Sequence, residues 1–173
     1  MNDVPKSRAV RLAIMTVSDS RTMEQDTSGD ALVKMAGGDG HEVVERLLVP
    51  DDIYRIRYEV SRWIVSPDVE AVITTGGTGL TGRDGTVEAV APLFDRTIDG
   101  FGELFRHVSY QTVGTSTIAS RAIGGVANGT FIFCLPGSTG ACKDAWNGVL
   151  RDQLDINNRP CNLVELMPRL TES

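Results

Sequence analysis

Residues 72–84 read Val-Ile-Thr-Thr-Gly-Gly-Thr-Gly-Leu-Thr-Gly-Arg-Asp, an apolar run that empties into a glycine-rich loop and ends on a charged pair. A continuous apolar run suits a strand covered on both faces, and the carboxyl end of such a strand is where open α/β sheets bind ligands. Gly76, Gly77 and Gly79 lack Cβ atoms, so the backbone can turn left-handed and aim successive N–H groups at one cluster of ligand oxygens. Asp84 then supplies a hard oxygen ligand. Amides for a phosphate beside a carboxylate able to hold Mg2+ are the minimum equipment for chemistry on a nucleotide or another phosphorylated small molecule. The spacing matches neither common phosphate fingerprint: no Lys-Ser/Thr pair follows the loop, and the glycines do not read Gly-x-Gly-x-x-Gly. An ordinary turn would explain the glycines alone. Thr74, Thr75, Thr78, Arg83 and Asp84 add hydrogen-bonding side chains around the same strand exit, which suits a site better than a spacer.

Outward from this loop, the chain alternates strand-like and helix-like stretches. Residues 10–17 form a second buried-type strand ending in Ser18-Asp19-Ser20, and Asp26-Thr27-Ser28-Gly29 offers capping oxygens to a helix carrying Leu32, Met35 and Ala36, stopped by Gly37 and Gly38. Residues 42–49 read as a strand. Pro50-Asp51-Asp52 opens a helix with Ile53, Ile56, Val60 and Ile64 on one face, closed by Ser66-Pro67-Asp68. After the strand at 71–75 and the glycine loop, a helix is expected from near Thr86, with Val87, Val90, Ala91 and Phe94 inward. Three such β-loop-α units in series imply a mostly parallel sheet with right-handed crossovers. Phe101, Leu104, Phe105 and Val108 mark a further helix, and residues 115–122 another. Ala127-Asn128-Gly129-Thr130 reads as a hairpin turn into the strand at 130–135. Pro136-Gly137-Ser138 follows, with Ser138 at the start of a helix whose inner face is Ala141, Ala145, Val149 and Leu150.

Parallel strands in this order bring three exits to one sheet edge: Ser18-Asp19, the loop from Thr75 to Asp84, and Pro136-Gly137-Ser138. Taken singly, Ser18-Asp19 reads as a turn and Pro-Gly-Ser as a β-α connection; their convergence makes Ser18, Asp19, Thr75, Gly76, Gly77, Thr78, Gly79, Gly137 and Ser138 the candidate substrate-binding set. Asp51 has two readings, as a helix N-cap or as a group positioning Mg2+ or the transition state. His41 and His107 lack partners at ligand spacing and read as structural or exposed, and Cys134 sits in the apolar run Phe-Ile-Phe-Cys-Leu as core. No Ser-His-Asp set or thiolate-imidazole pair is evident, so covalent catalysis has no carrier. Phosphoryl-group chemistry needs none, because positioning and charge stabilisation lower its barrier.

Composition sets the outer bounds. At 173 residues with 41% hydrophobic and 23% charged residues, the chain is sized for one domain with a full core. A formal charge of −6 argues against a nucleic-acid partner, which calls for clustered Lys and Arg. Cys134, Cys142 and Cys161 form no Cys-x-x-Cys pair and are odd in number, so neither a zinc site nor a disulfide framework is indicated. No apolar run approaches the ~20 residues of a membrane span, and Met-Asn-Asp-Val-Pro-Lys lacks a signal-peptide core, so a cytoplasmic location without membrane contact is expected.

Taken together, Thr74-Thr75-Gly76-Gly77-Thr78-Gly79 with Arg83-Asp84, Val49-Pro50-Asp51, Asp26-Thr27-Ser28-Gly29, Phe101-Gly102-Glu103, Ser120-Arg121 and Leu135-Pro136-Gly137-Ser138 resemble the MoaB/Mog proteins of molybdenum cofactor biosynthesis. The terminal Asn158-Arg159-Pro160-Cys161-Asn162 looks most like the MoaB branch. The resemblance implies an α/β fold, a three-layer α/β/α sandwich around a mostly parallel sheet with a short hairpin. It implies one molybdopterin-binding domain over residues 8–157, with 158–173 a tail packed on the domain or on a neighbouring subunit. It further implies an adenylyltransferase that binds molybdopterin and Mg-ATP, transfers AMP to the pterin's terminal phosphate and releases pyrophosphate. On that reading Asp84 and Asp51 are the carboxylates needed for turnover and the candidate Mg2+ ligands, while Gly76 to Gly79 and Ser138 hold the phosphates and pterin. Self-association as a trimer or hexamer, and contact with other molybdenum cofactor biosynthesis proteins, are implied as well. Two rival readings remain open: a molybdopterin-binding carrier or scaffold without catalysis, and another nucleotide-dependent transferase using the same loop.

Overall fold

In the computed structural model, which describes residues 8–172, the chain runs through β1 (Arg11–Val17), α1 (Thr27–Gly38), β2 (Glu42–Val49), α2 (Ile53–Ile64), β3 (Ala71–Thr75), α3 (Thr86–Val90), β4 (Arg96–Thr97), α4 (Asp99–Val113), β5 (Ile123–Ala127), β6 (Thr130–Leu135), α5 (Thr139–Ala145) and α6 (Arg151–Leu154). One six-stranded sheet has the order β2-β1-β3-β6-β5-β4. Pairing is parallel from β2 through β6, and the register places Val17 opposite Val49, Thr16 opposite Thr75, and Thr75 opposite Leu135. All four parallel strands therefore end at one level, on one edge. Asn128 and Gly129, with φ of 47° and 81°, make the tight turn that reverses β5 into β6, and β4 adds antiparallel to β5.

Continuous apolar runs are needed because both faces are covered. Leu12 and Ile14 of β1, Ala71 and Ile73 of β3, and Phe131, Phe133 and Leu135 of β6 pack with Leu32 of α1, Phe101 and Phe105 of α4, and Trp146 just past α5. The intervening Ala13, Met15, Val17, Val72, Ile132 and Cys134 pack on the other face with Ile56, Val60 and Trp63 of α2 and Ala89 and Val90 of α3. The result is the expected three-layer α/β/α arrangement. Fully burying a side chain of this size contributes roughly 1.5–3 kcal/mol. Beyond α6, Leu163, Val164, Met167 and Leu170 pack against the first of these clusters, with Leu163 N–H bonded to Gln153 O at 3.0 Å.

Three local expectations are corrected. The helix after the glycine loop is only five residues long, because Pro92 cannot donate to a carbonyl four residues back; a 3-10 turn over Ala91–Leu93 follows. The freed carbonyls of Glu88 and Ala89 are taken by Arg57, and the buried face is Thr86, Ala89 and Val90, with Val87 and Ala91 outside it. The expected helix at 115–122 is a 3-10 turn over Gly114–Ala119 that gives way to an extended segment leading into β5. The cap of α2 is Asp52, whose Oδ1 accepts from Arg55 N at 2.8 Å; Asp51 is thereby released for another partner.

One buried charge ties the layers together behind the β1 exit. Asp26 is fully buried at the start of α1, its Oδ1 accepting from Gly29 N at 2.9 Å and its Oδ2 from Thr16 Oγ1 at 2.7 Å and Arg46 Nη2 at 2.9 Å. Burial pushes this carboxyl up, and the bonds from Arg46, Gly29 and Thr16 together outweigh it, so the net shift is downward. Asp26→Ala should cost about 2–3 kcal/mol in urea unfolding, since it removes the cap on Gly29 N–H, the acceptor of the buried Thr16 hydroxyl and one of the two carboxylates paired with Arg46, which keeps Asp30 at 2.6 Å. A depressed folded pKa stabilises above the unfolded value, so the difference between wild type and variant should be full above about pH 4. It should shrink as pH falls through the lower folded pKa.

Candidate functional site

The strand exits enclose a cleft of about 860 Å3, within the range of small-molecule sites. Loops after β1, β3 and β6 form its floor and one side. The opposite wall is the carboxyl half of α4 with the following 3-10 turn, including Phe105, Ser109, Thr112, Thr117 and Ser120.

Gly76 and Gly77 carry the sharp turn out of β3, with φ of 102° and 66°. A Cβ on Gly76 would lie 2.2 Å from Val17 O, and one on Gly77 would lie 2.3 Å from Thr86 Oγ1 and 2.7 Å from Asp51 Oδ2. No other residue fits either position. Thr86 closes the turn, its hydroxyl donating to Gly76 O at 2.8 Å and its N–H to Gly77 O at 2.9 Å. Further along, Thr81 N–H and Thr81 Oγ1 bond Asp84 Oδ2 at 2.8 and 2.6 Å, making Asp84 the loop's internal staple.

The exits are stitched to one another by side chains. Asp19 Oδ1 accepts from Asp51 N at 3.0 Å, and its Oδ2 receives Arg83 Nε and Nη2 at 3.0 and 2.6 Å. Asp51 Oδ1 accepts from Gly85 N at 3.0 Å, and Oδ2, beside Gly77, has no hydrogen bond among the described residues. The Ser18 hydroxyl accepts from Arg21 N at 3.2 Å and holds the β1 exit in a turn, and Ser138 caps α5 by accepting from Ala141 N at 3.1 Å.

Of the residues singled out from sequence, Ser18, Asp19, Asp51, Gly76, Gly77, Thr78, Gly79, Asp84, Gly137 and Ser138 all line this one cleft. Thr75 does not. Its side chain is fully buried and its hydroxyl donates to Pro136 O at 2.9 Å and contacts Cys142 Sγ at 3.1 Å, so it anchors the β6 exit from behind. Burial pushes the Cys142 thiol up to about 11, which keeps it an inert neighbour.

Two features escaped the sequence reading. Arg21 donates from Nη1 to Ser28 Oγ at 3.2 Å and Gly137 O at 3.3 Å, and forms no ion pair among the described residues, so its charge stays available to an anion. Its sole signal was a position within the polar stretch after β1. The hydroxyls of Ser109, Thr112 and Ser116, with Thr117 and Ser120, recur at helical spacing along 109–120, a polar stripe that could have been noticed.

The three loop aspartates have different electrostatics. Bonds from the Arg83 fork hold Asp19 below the usual carboxylate range, and the Thr81 hydroxyl does the same for Asp84. Asp51 is shifted upward, first by desolvation and then by the charges of Asp19 and Asp84, against the lowering effect of Gly85 N–H. Among the described residues, no three carboxylate, imidazole or thiol side chains gather closely enough to hold a metal by themselves. The free Oδ2 of Asp51 nevertheless fits Mg2+, which takes one or two protein carboxylates and completes its shell with phosphate oxygens and water.

Comparison with known proteins agrees with this fold. A family described as a probable molybdopterin-binding domain matches residues 13–155. Molybdenum cofactor biosynthesis protein B of Escherichia coli K12 is 53% identical over 152 residues, covering 88% of this chain and 89% of the relative. A crystal structure of a molybdenum cofactor biosynthesis protein B superposes with a TM-score of 0.82 at 44% identity, covering 87% of this chain and 93% of the other. That of the tungsten cofactor synthesizing protein MoaB from Pyrococcus furiosus superposes with a TM-score of 0.74 at 35% identity, covering 82% and 91%.

The upward shift of Asp51 carries a stability consequence. A carboxyl whose folded pKa is raised contributes stability only below its unfolded value, and loses it as pH rises through the folded one. Asp51→Asn keeps an acceptor for Gly85 N–H and removes the repelled charge, so it should raise the melting temperature at pH 7 by about 1–3 °C. Carbon NMR titration should find the Asp51 carboxyl above the ordinary Asp value and see it fall in Asp19→Asn; a fall below that value in the wild type would reject this reading.

Proposed function

Because the chain belongs to the molybdopterin-binding domain family of molybdenum cofactor biosynthesis, we propose that it is a molybdopterin adenylyltransferase, moving AMP from Mg-ATP to the pterin's terminal phosphate. The observation that carries the reading is one cleft holding a left-handed glycine turn and two aspartates, Asp51 bonded through Oδ1 to Gly85 N–H and Asp84 bonded by Thr81. In this reaction a terminal-phosphate oxygen of the pterin attacks the α-phosphorus of ATP, and the bond to pyrophosphate breaks. Two polyanions must therefore meet inside a protein of formal charge −6. Local donors make that possible.

The residues divide the work. Backbone N–H groups of the glycine loop and the start of α5 receive phosphate oxygens, and Arg21 supplies the charge that Arg83, committed to Asp19, does not. The hydroxyl stripe from Ser109 to Ser120 offers hydrogen bonds to a flat, polar heterocycle. Asp51 is the better Mg2+ ligand, because a cation relieves the repulsion from Asp19 and Asp84. When bound, Mg2+ neutralises charge on the phosphates during transfer. Asp84, held ionised by Thr81, keeps the loop in shape. We further propose self-association as a trimer or hexamer; exposed Leu104, Val113 and Ile118 beside the cleft offer apolar surface for it.

Protein mixed with molybdopterin, Mg2+ and ATP should release pyrophosphate in step with adenylylated pterin. Asp51→Asn should lower kcat by about 10²-fold or more while molybdopterin affinity, read by fluorescence quenching, is kept. Pyrophosphate release that ignores added pterin would defeat the proposal. Tight pterin binding with no turnover would instead mark a carrier.

A further inference from the structure

The glycine loop turns several carbonyls away from the cleft, and one side chain collects them. Arg121, in the extended segment before β5, donates from Nε to Thr78 O at 3.2 Å and Gly79 O at 2.8 Å, and from Nη2 to Asp84 O at 3.2 Å. The far edge of the guanidinium is held by Glu88 of α3, through Nη1 to Oε1 and Nη2 to Oε2. A single planar group thus spans both ends of the loop and the helix after it.

A trans peptide unit points its C=O and the next N–H in opposite directions, so fixing one end fixes the other. The unit whose Asp84 carbonyl binds Arg121 presents Gly85 N–H to Asp51 Oδ1 at 3.0 Å. The unit whose Thr78 carbonyl binds Arg121 sets Gly79 directly beside the Asp84 carboxylate, where its N–H adds to the Thr81 bonds in holding Asp84 below the usual range. The next unit, held at Gly79 O, turns Leu80 N–H away from the guanidinium in the same manner. We infer that Arg121 is the positioning residue for both aspartates, acting through these peptide units, with Glu88 as its brace. The catalytic meaning of that placement rests on the adenylyltransferase reading; the placement itself does not. Lysine could not substitute, because a point charge cannot serve carbonyls on both sides of the loop as a rigid fork does.

The test uses full-length Arg121→Ala, Arg121→Lys and Glu88→Gln. Backbone amide exchange is measured without ATP or pterin, so it judges the positioning claim even if the wild type transfers no AMP. Gly79 and Gly85 N–H should exchange at least tenfold faster in both Arg121 variants, with amides of β1 and β6 unchanged. With substrates present, kcat should fall about tenfold or more, with the KM for Mg-ATP raised, and millimolar guanidinium should restore part of the rate to Arg121→Ala but none to Asp51→Asn. Glu88→Gln should show the same changes at smaller size, and it decides the matter if the Arg121 variants fail to fold. Wild-type exchange at Gly79 and Gly85 in the folded variants would overturn the inference, and so would loss of activity that guanidinium cannot touch.

Discussion

Parallel pairing of β1 with β3, and of β3 with β6, is the constraint on which the rest depends. With Thr16 level with Thr75, and Thr75 level with Leu135, three chain segments must leave the sheet side by side at one height. Side-chain alternation enforces that register, since slipping one strand by a residue would move Leu12 or Ile73 into the opposite core. Connections then have to turn sharply within a crowded edge, which accounts for Gly76 packed against Val17 O and for Thr75 spending its hydroxyl on Pro136 O.

Charge is distributed across that edge in layers. Asp19 is paired with Arg83, and Asp84 accepts from its own loop, so neither repels an incoming anion as a bare charge. Asp51 is different: it has one oxygen without a hydrogen bond among the described residues, a desolvated setting and two like charges nearby. Strain of this electrostatic kind is what a functional site retains while the surrounding fold compensates. The compensation is visible at Asp26, where a completely buried carboxylate has three donors, one of them the cationic Arg46.

Much of the candidate site was legible because glycine, threonine and aspartate clusters at strand ends are local signals. Gly76, Gly77, Thr78, Gly79 and Asp84 lie within nine consecutive residues, and parallel topology alone suffices to bring Ser18, Asp19, Gly137 and Ser138 to them. The less visible elements were those with weak patterns of their own. β5 reads Ile-Gly-Gly-Val-Ala and β4 spans two residues, so neither shows an apolar alternation that could announce a strand. The segment at 115–122 carries helix-compatible residues, yet Gly114 at φ 59° and the pull of β5 leave room only for a 3-10 turn.

Local chemistry in the chain was thus enough for the α/β class, the parallel core strands, the caps at Asp26 and Ser138 and the cluster of residues around the cleft. Those properties depend on neighbours a few positions apart, or on apolar periodicity. Which aspartate caps α2 and which is left with a free oxygen, that Thr75 faces away from ligand, and that Arg121 gathers carbonyls of residues 42 and 43 positions earlier depend on contacts between distant segments. Hydrogen-bond partners of that sort are assigned by packing in three dimensions, because a side chain's nearest acceptor is set by the shape of the cleft and leaves no trace in spacing along the sequence.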